Sequence, residues 1–206
     1  AAGTTPTTAD KGKPKGRITY TMSTDVGTND PMVLTGGIDT LYYLAIYESL
    51  VARDLDGQLQ PALATSWKIT DKGMSLEFTI RKGVKWHNGD PLTAEDVKFT
   101  FDRTKLPLAA KGGYQTMLKA IGEVQVAGED KVVIRLKTPD GLMLNRAGSV
   151  MVLPKKYIEK VGDDGFEKAP IGTGPYKFVK RVKAEFMELE AFEDWWGPKP
   201  WDSTFT

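Results

Sequence analysis

PALATSWKITDKGMSLEFTIRKGVKWHNGDPLTAEDVKFTFDR, residues 61–103, is the stretch that decides the fold class of this chain. Within it, Leu76, Phe78 and Ile80 alternate with polar residues, and this period of two predicts a strand with one buried face. Further on, Thr93 precedes two acids and an apolar series at helical spacing, which predicts a capped helix. Because strand and helix signals follow one another so closely, the stretch predicts a mixed α/β fold.

Local signals extend this organisation in both directions. Proline favours the first position of a helix, so residues 61–67 predict a short helical turn. Residues 38–51 predict a longer helix. Its residues at helical spacing are Leu41, Leu44, Ala45 and Glu48. The other predicted elements are a strand over 18–22, turns at 54–57, 71–73 and 87–91, hairpins over 121–137 and 176–192, and a helix over 154–161 that ends before Gly162.

The composition excludes several classes of function. The chain has 206 residues with 28 basic and 27 acidic side chains, and a net charge of +1 gives no electrostatic footprint for nucleic acid. The absence of cysteine excludes disulfides, thiolate metal sites and cysteine nucleophiles. His87 is the single histidine, so one chain cannot assemble a histidine-rich metal site, and we predict a structural role in a turn. No apolar run approaches the roughly 18 residues that would cross a membrane.

An ordered set of motifs resembles one protein family. The motifs in the quoted stretch lie at residues 61–67, 78–89 and 92–97. Others follow the same order at residues 29–31, 47–51, 56–57, 153–157 and 172–176. Together they resemble the family 5 extracellular solute-binding proteins of bacterial ABC importers, the oligopeptide, dipeptide and nickel binding group. The resemblance covers essentially residues 17–206.

The resemblance implies a periplasmic-binding-protein-like lobe with a smaller inserted subdomain. By analogy, residues 17–50 and 165–206 belong to an incomplete core subdomain, and residues 51–164 form the insert. Residues 1–16 hold almost nothing to bury, so we expect a disordered tail or tether. The second lobe of the family has no counterpart in this sequence, and we therefore expect the chain to be an N-terminal portion.

The same resemblance implies a function. Proteins of this family capture a solute between two lobes by hinge closure and deliver it to a membrane permease. We therefore expect a monomeric periplasmic or extracytoplasmic protein that binds a peptide, with no catalytic activity, no cofactor and no nucleic-acid partner. The start Ala1-Ala2-Gly3 agrees with removal of a signal peptide after small residues. Nickel chelates, oligosaccharides, opines and haem stay open as solutes, and a sensory or regulatory module stays open as a role.

The candidate ligand contacts come from the resemblance. In peptide-binding relatives, a short extended segment after an Asp-Pro pair lines the cleft, and its counterpart here is Thr35, Gly36 and Gly37. Glycine agrees with that role because it lets a ligand main chain approach closely. A simple loop before the helix is the alternative. Relatives also place an aromatic residue of the insert over the cleft, and Tyr114 occupies that place approximately.

Other constellations favour structural roles. Glu95 and Asp96 are adjacent on a predicted helix, where they point about 100° apart and do not face one substrate. Residues 172–175 lack the lysine and hydroxyl of a phosphate loop and predict a tight chain reversal. The pair Asp163–Asp164 predicts a solvated turn. An enzyme with two converging carboxylates stays an alternative, which no spacing in the sequence favours.

Overall fold

The computed structural model of the chain describes residues 17–19, 25–33, 40–197 and 204–205. The strands are β1 (Arg17–Ile18), β2 (Val51–Arg53), β3 (Leu59–Pro61), β4 (Ala64–Thr70), β5 (Ser75–Ile80), β6 (Ile121–Val126), β7 (Lys131–Leu136), β8 (Tyr176–Val182), β9 (Phe186–Ala191) and β10 (Thr204–Phe205). The helices are α1 (Thr40–Ile46), α2 (Ala94–Arg103), α3 (Tyr114–Met117), α4 (Met143–Gly148) and α5 (Lys155–Lys168). Three 3-10 helices are η1 (Pro31–Val33), η2 (Asp71–Gly73) and η3 (Pro107–Ala110). The mixed α/β class is confirmed.

Two four-stranded sheets organise the described residues. One sheet is antiparallel with the order β4-β5-β7-β6, and α2 packs on β6 and β7. The other has the order β1-β10-β9-β8, in which β1 and β10 run parallel, and α1 packs against β8. A separate hairpin pairs β2 with β3. The core of the first sheet is the face that alternation predicts, with Leu76, Phe78 and Ile80 buried.

The predicted helix start at Thr93 is confirmed. The Asp96 carboxylate accepts the N–H of Thr93 at 2.8 Å and its hydroxyl at 2.9 Å, so the first turn of α2 is closed by its own side chain. Asp96 is buried, and its other oxygen accepts the N–H of Lys155 at 2.9 Å. One carboxylate therefore joins the starts of α2 and α5.

The predicted turns and hairpins are confirmed as well. Lys72 and Gly73 adopt the left-handed backbone of a tight turn, with φ of 52° and 88°, and Gly89 does the same at 89°. The pairs β2–β3, β6–β7 and β8–β9 occupy the three predicted hairpins. Of the strand predicted over 18–22, the structure describes the beginning as β1, and residues 20–24 lie outside the described part.

The prediction of a helical turn at residues 61–67 is wrong. Pro61 ends β3, and the following chain forms β4, which pairs with β5. The N–H of Ala64 donates to the carbonyl of Leu50 at 2.8 Å, so this backbone is committed to neighbouring segments. β4 is an edge strand that exposes residues of both faces, and it therefore lacks the hydrophobic alternation that marks β5.

The predicted helix over residues 38–51 is shorter and turned about its axis. α1 ends at Ile46, and the chain enters β2 at Val51. Leu41 and Leu44, which the helical spacing placed together, are each 54% exposed. The buried residues here are Tyr42, Tyr43, Ile46 and Tyr47. The tyrosines occupy the buried face of the helix because their hydroxyls form hydrogen bonds with residues 28 and 29 there.

The helix predicted to end before Gly162 leaves helical geometry at that residue, where φ is 71° and ψ is 176°, so the predicted end is confirmed. A second helical segment follows this break and carries α5 to Lys168. Phe166 is fully buried and anchors the second half of the helix. Asp163 and Asp164 therefore lie on a helix, so the predicted turn is wrong, although both residues are exposed as predicted. The Asp163 carboxylate also binds Arg103.

Candidate ligand-binding site

Of the four predicted ligand contacts, the structure describes Tyr114, whereas Thr35, Gly36 and Gly37 lie outside the described residues. Tyr114 is the first residue of α3 and is half-buried. Its hydroxyl forms no hydrogen bond with another described residue. Burial, assisted by the charge of Asp30, raises the pKa of this hydroxyl to about 12. The phenol is therefore a neutral group with a free donor near the Asp-Pro turn.

Asp30 closes the turn that leads toward the predicted contacts. Its Oδ1 accepts the N–H of Met32 at 2.9 Å, and its carbonyl accepts the N–H of Val33 at 3.1 Å. These two bonds fix η1, which packs against η3, a few residues before Tyr114. The structure thus places the Asp-Pro turn and Tyr114 on neighbouring elements, although they are distant in sequence.

The guanidinium of Arg103 binds the carboxylate of the same aspartate, Asp30. Its two terminal nitrogens donate to Asp30 Oδ2 at 2.5 Å and to Asp163 Oδ1 at 2.6 Å. Burial raises the pKa of Asp30 although Arg103 opposes the shift. For Arg103, burial acts to lower the pKa, but the two carboxylates raise it overall. Arginine keeps its proton in proteins, so the pair is ionised at neutral pH.

The segment before the turn is held by Glu167 of α5. The Glu167 carboxylate accepts the Thr28 hydroxyl at 2.6 Å and the N–H groups of Asn29 and Asp30 at 2.8 and 3.2 Å. Its backbone carbonyl accepts the Asn29 side-chain amide at 2.6 Å. Four donors on one short segment leave it little freedom, so α5 fixes where the Asp-Pro turn lies.

Three tyrosines of the α1 region hold the same segment from the other side. The hydroxyls of Tyr43 and Tyr47 donate to the carbonyls of Thr28 and Asn29, each at 2.6 Å, and the Tyr42 hydroxyl donates to Asn29 Oδ1 at 2.9 Å. Burial raises the pKa of Tyr47 well above its ordinary value. These bonds explain the rotation of α1 that hydropathy alone did not predict.

His87 ties the turn at residues 87–91 to the chain reversal at residues 172–175. Its Nδ1 accepts the N–H of Gly172 at 3.1 Å, and its Nε2 lies 3.0 Å from the carbonyl of Gly174. These partners require the neutral ring with its proton on Nε2. Burial lowers the pKa of His87 to about 4. The predicted structural role of this histidine agrees with this geometry.

Gly172 and Gly174 are required in the chain reversal because the backbone of α1 lies too close to leave room for a side chain. A Cβ at Gly172 would lie 2.0 Å from the carbonyl oxygen of Ile46, and one at Gly174 would lie 2.7 Å from that of Ala45. The N–H of Gly174 donates to the carbonyl of Ile46 at 2.8 Å. The reversal therefore packs on the last turn of α1 and accounts for where that helix ends.

The half-buried carboxylate of Glu48 holds the indole groups of Trp195 and Trp196. Glu48 accepts the indole N–H of Trp196 at 2.9 Å and that of Trp195 at 3.3 Å. Burial raises the pKa of Glu48, and the indole donors oppose the shift. The guanidinium of Arg81 stacks 4.1 Å from the centre of the Trp196 ring.

Two kinds of feature are absent from the described residues, a metal-binding cluster and a membrane-spanning helix. No cluster of three or more His, Asp or Glu side chains in this part of the chain is placed to hold a metal ion. No helix in the same part is both long and apolar enough to span a bilayer.

Sequence reasoning missed Arg103 and Glu167. The available signal for Arg103 was its spacing, since it follows the buried Val97 and Thr100 on one face of α2 and so falls on an apolar face. A charge in such a position predicts a buried partner. Nothing in the spacing of Glu167 pointed to Asn29, because the contact joins segments 138 residues apart.

Comparison with known proteins decides the family. A family model described as "Bacterial extracellular solute-binding proteins, family 5 Middle" matches residues 58–203. The chain belongs to this family. The resemblance found in the motifs is therefore confirmed.

Individual relatives agree with the family match. The oligopeptide-binding protein AppA of Bacillus subtilis is 34% identical over 170 residues, which cover 78% of this chain and 31% of AppA. The structure of AppA with a nonapeptide aligns with a TM-score of 0.84 and 26% identity, over 94% of this chain and 40% of AppA. DppA of Helicobacter pylori with the peptide STSA gives a TM-score of 0.85 and 26% identity, over 94% of this chain and 42% of DppA.

A third solved structure contains a different ligand. NikZ of Campylobacter jejuni with Ni(L-His) aligns with a TM-score of 0.78 and 29% identity, over 94% of this chain and 38% of NikZ. The chain spans about a third of the length of the curated relatives it matches, 34% and 31% in two of them. This chain thus shares its fold with proteins that bind different ligands, two of them peptides and one a nickel–histidine complex.

Proposed function

We propose that the protein containing this chain is the solute-binding component of a bacterial ABC importer and that its solute is a peptide. The observation that carries the proposal is the family match over residues 58–203. Two relatives that share the fold are solved with peptides bound. Such a component works outside the cytoplasm as a monomer, closes two lobes around its solute and passes it to the membrane subunits of the importer.

In this proposal, Thr35, Gly36, Gly37 and Tyr114 supply this chain's side of the peptide site. The support is positional, because η1 ends at Val33 and packs on η3 close to Tyr114. The Tyr114 hydroxyl keeps its proton at neutral pH, since its pKa is raised to about 12, and it can donate to a peptide carbonyl. The glycines offer main-chain groups to the peptide backbone without side-chain obstruction.

The role we propose is binding without catalysis. Asp30, Glu48 and Asp96 are carboxylates whose pKa is raised by burial, which is a property that active-site acids share. Each of the three, however, is engaged by donors of the protein itself. A general acid or base must instead reach a proton of the substrate.

A nickel chelate is the second candidate solute. The observation that favours it is the NikZ structure with Ni(L-His), which shares the fold of this chain at a TM-score of 0.78 and 29% identity. In that case the fold and the importer role stay the same, and residues outside this chain make the contacts that select the chelate.

Calorimetry on the full-length gene product separates the two solutes. The protein is first unfolded and refolded to remove endogenous solute, and then titrated with the peptide STSA and with Ni(L-His). We expect binding of the peptide and a loss of about tenfold in affinity for Tyr114→Phe, the value of one hydrogen bond. Tyr157→Phe is the matched control, because its hydroxyl already donates to a carbonyl of the protein itself, that of Ala169 at 2.8 Å.

Two other outcomes would change the proposal, one for the solute and one for Tyr114. Binding of Ni(L-His) without binding of the peptide would replace the peptide by the chelate. Equal affinities of the Tyr114→Phe and Tyr157→Phe variants for STSA would remove Tyr114 from the site while leaving the importer role intact.

A further inference from the structure

The ion pair between Arg103 and Asp30 is a costly way to join two elements. The two side chains are only 3% and 7% exposed, and removing two such charges from water costs several kcal/mol per ion before their attraction repays it. The Nε of Arg103 is also buried without a partner among the described residues. Since packed apolar side chains commonly join elements at lower cost, stability alone does not account for this pair.

The pair does impose a geometry. Asp30 uses Oδ1 to hold the N–H of Met32 and Oδ2 to bind Arg103, so a rotation of the carboxylate would break the first turn of η1. Arg103 in turn reaches Asp163 on α5 with its second nitrogen. A guanidinium is planar and presents its donors as a rigid fork, which fixes the directions of both carboxylates at once.

The consequence of that geometry extends to Tyr114. η1 packs against η3, which lies just before α3, and α3 begins with Tyr114. The charge of Asp30 is felt at the Tyr114 hydroxyl, so the two groups are near enough to interact electrostatically. A displaced Asp30 would change both the shape of η1 and the surroundings of that hydroxyl.

We propose that Arg103 is a positioning residue of the solute site, which acts through Asp30 to fix η1 relative to Tyr114. It does not touch the solute. The effect of Arg103 on solute affinity rests on the proposed function. Its effect on the position of η1 can be tested without any solute.

The first test is hydrogen exchange of the solute-free, full-length gene product. For Arg103→Met, we expect the amides of Met32 and Val33 to exchange about tenfold faster relative to amides of β5, because η1 opens locally. Arg103→Lys keeps the charge but loses the fork that reaches both carboxylates, so we expect it to restore only part of the protection. Arg146→Met is the matched control, since Arg146 pairs with Asp140 at 2.7 Å in a more exposed position.

A second variant keeps the test valid if Arg103→Met does not fold. The double variant Asp30→Asn/Arg103→Met leaves no unpaired buried charge, and we expect it to fold with the same local opening of η1. The proposal is overturned if Met32 and Val33 exchange no faster, relative to β5, than in the unmodified protein.

The second test measures binding of STSA by the same variants. We expect about tenfold weaker binding for Arg103→Met and unchanged binding for Arg146→Met, in line with a site that has lost its pre-organisation. Unchanged affinity of Arg103→Met would overturn the role in binding. If the unmodified protein binds neither STSA nor Ni(L-His), the proposed function fails, and the exchange of Met32 and Val33 alone decides whether Arg103 positions η1.

Discussion

Two hydrogen bonds of opposite direction hold the His87 ring between Gly172 and Gly174. A second proton would have to sit on Nδ1, which already faces the N–H of Gly172. Protonation therefore replaces a hydrogen bond by a repulsion inside a buried site, in agreement with the lowering of the pKa of His87 to about 4 by burial. The neutral ring is a structural requirement at this position.

This geometry predicts how stability depends on pH. The folded-state pKa of His87, about 4, lies below the ordinary value of 6.5, so the contribution is complete above pH 6.5 and is lost as the pH falls toward 4. Between pH 7 and pH 5, we expect the free energy of unfolding to fall by about 2 kcal/mol through this residue. Urea unfolding at the two pH values measures the loss.

The variant His87→Gln isolates the histidine from the carboxylates. It should be less stable than the unmodified chain at pH 7 but lose about 2 kcal/mol less on going to pH 5. The acids Asp30, Glu48 and Asp96 have raised pKa values, which act in the opposite direction at lower pH and are common to both proteins. Equal pH dependence of the two proteins would refute the assignment.

At the level of elements, Asp96 acts as a joint between two helices. Its oxygens accept two donors of Thr93 at the start of α2 and the N–H of Lys155 at the start of α5. We expect Asp96→Ala to lower the free energy of unfolding by about 3 kcal/mol, because three hydrogen bonds to a buried carboxylate are lost. Chemical denaturation measures the loss.

The neighbouring acid provides the control for that substitution. Glu95 lies in the same helical turn but is exposed, with a long ion pair of 3.4 Å to Lys155. Glu95→Ala should change the stability by less than about 0.5 kcal/mol. Similar losses for the two variants would mean that helix electrostatics, and not the buried joint, account for Asp96.

The contact between the chain reversal and α1 gives a second prediction for elements. Gly172→Ala places a methyl group 2.0 Å from the carbonyl oxygen of Ile46, so backbone must move, and we expect a loss of about 3 kcal/mol or more. Gly141→Ala meets nothing within 4 Å and should be nearly neutral. Thermal unfolding of the two variants compares them, and a tolerated Gly172→Ala would show that the contact yields.

An element could be predicted from the sequence when a periodic series of apolar side chains buries it, and not when hydrogen bonds hold it in place. β5 and α2 bury apolar side chains with a clean period, and the sequence displays that period. β4 is held by backbone bonds on one edge, which leave no pattern in its side chains. α1 buries tyrosines whose hydroxyls need partners on residues 28–29, and a hydropathy pattern favours the exposed leucines instead.

For the whole molecule, we propose that residues 17–50 with 165–206 form one subdomain and residues 51–164 the other. Support comes from the sheets, since β4 to β7 form one sheet and β8 to β10 form the other together with β1. Between them lie the bonds of His87 to the chain reversal and the ion pair of Arg103 with Asp30. These links are buried or largely buried, so they should couple the two subdomains firmly.

This coupling predicts a single unfolding unit. Under rising denaturant, amides of β5 and β9 in the full-length gene product should lose protection from hydrogen exchange at the same denaturant concentration. Loss of protection in β9 well before β5, or the reverse, would show that the subdomains unfold separately and that the buried links are weak.

A candidate site could be predicted only through motifs of the family. Tyr114 stays a prediction from the resemblance, and the structure places it near Asp30 on elements that pack together. The supports of that site join residues far apart in sequence, such as Arg103 with Asp30 across 73 positions, and one sequence does not show such pairs. Contacts between residues far apart in sequence are therefore harder to predict than candidate contacts that a family motif suggests.

The most direct test of the central claim is native mass spectrometry of the full-length gene product, purified without denaturant. We predict an adduct that is released on denaturation and consists of a series of short peptides, as expected for a peptide importer that retains its solute. Release of a nickel–histidine complex or another non-peptide solute would contradict the peptide assignment while keeping the importer role. A solute-free protein that then bound neither STSA nor Ni(L-His) would contradict the account as a whole.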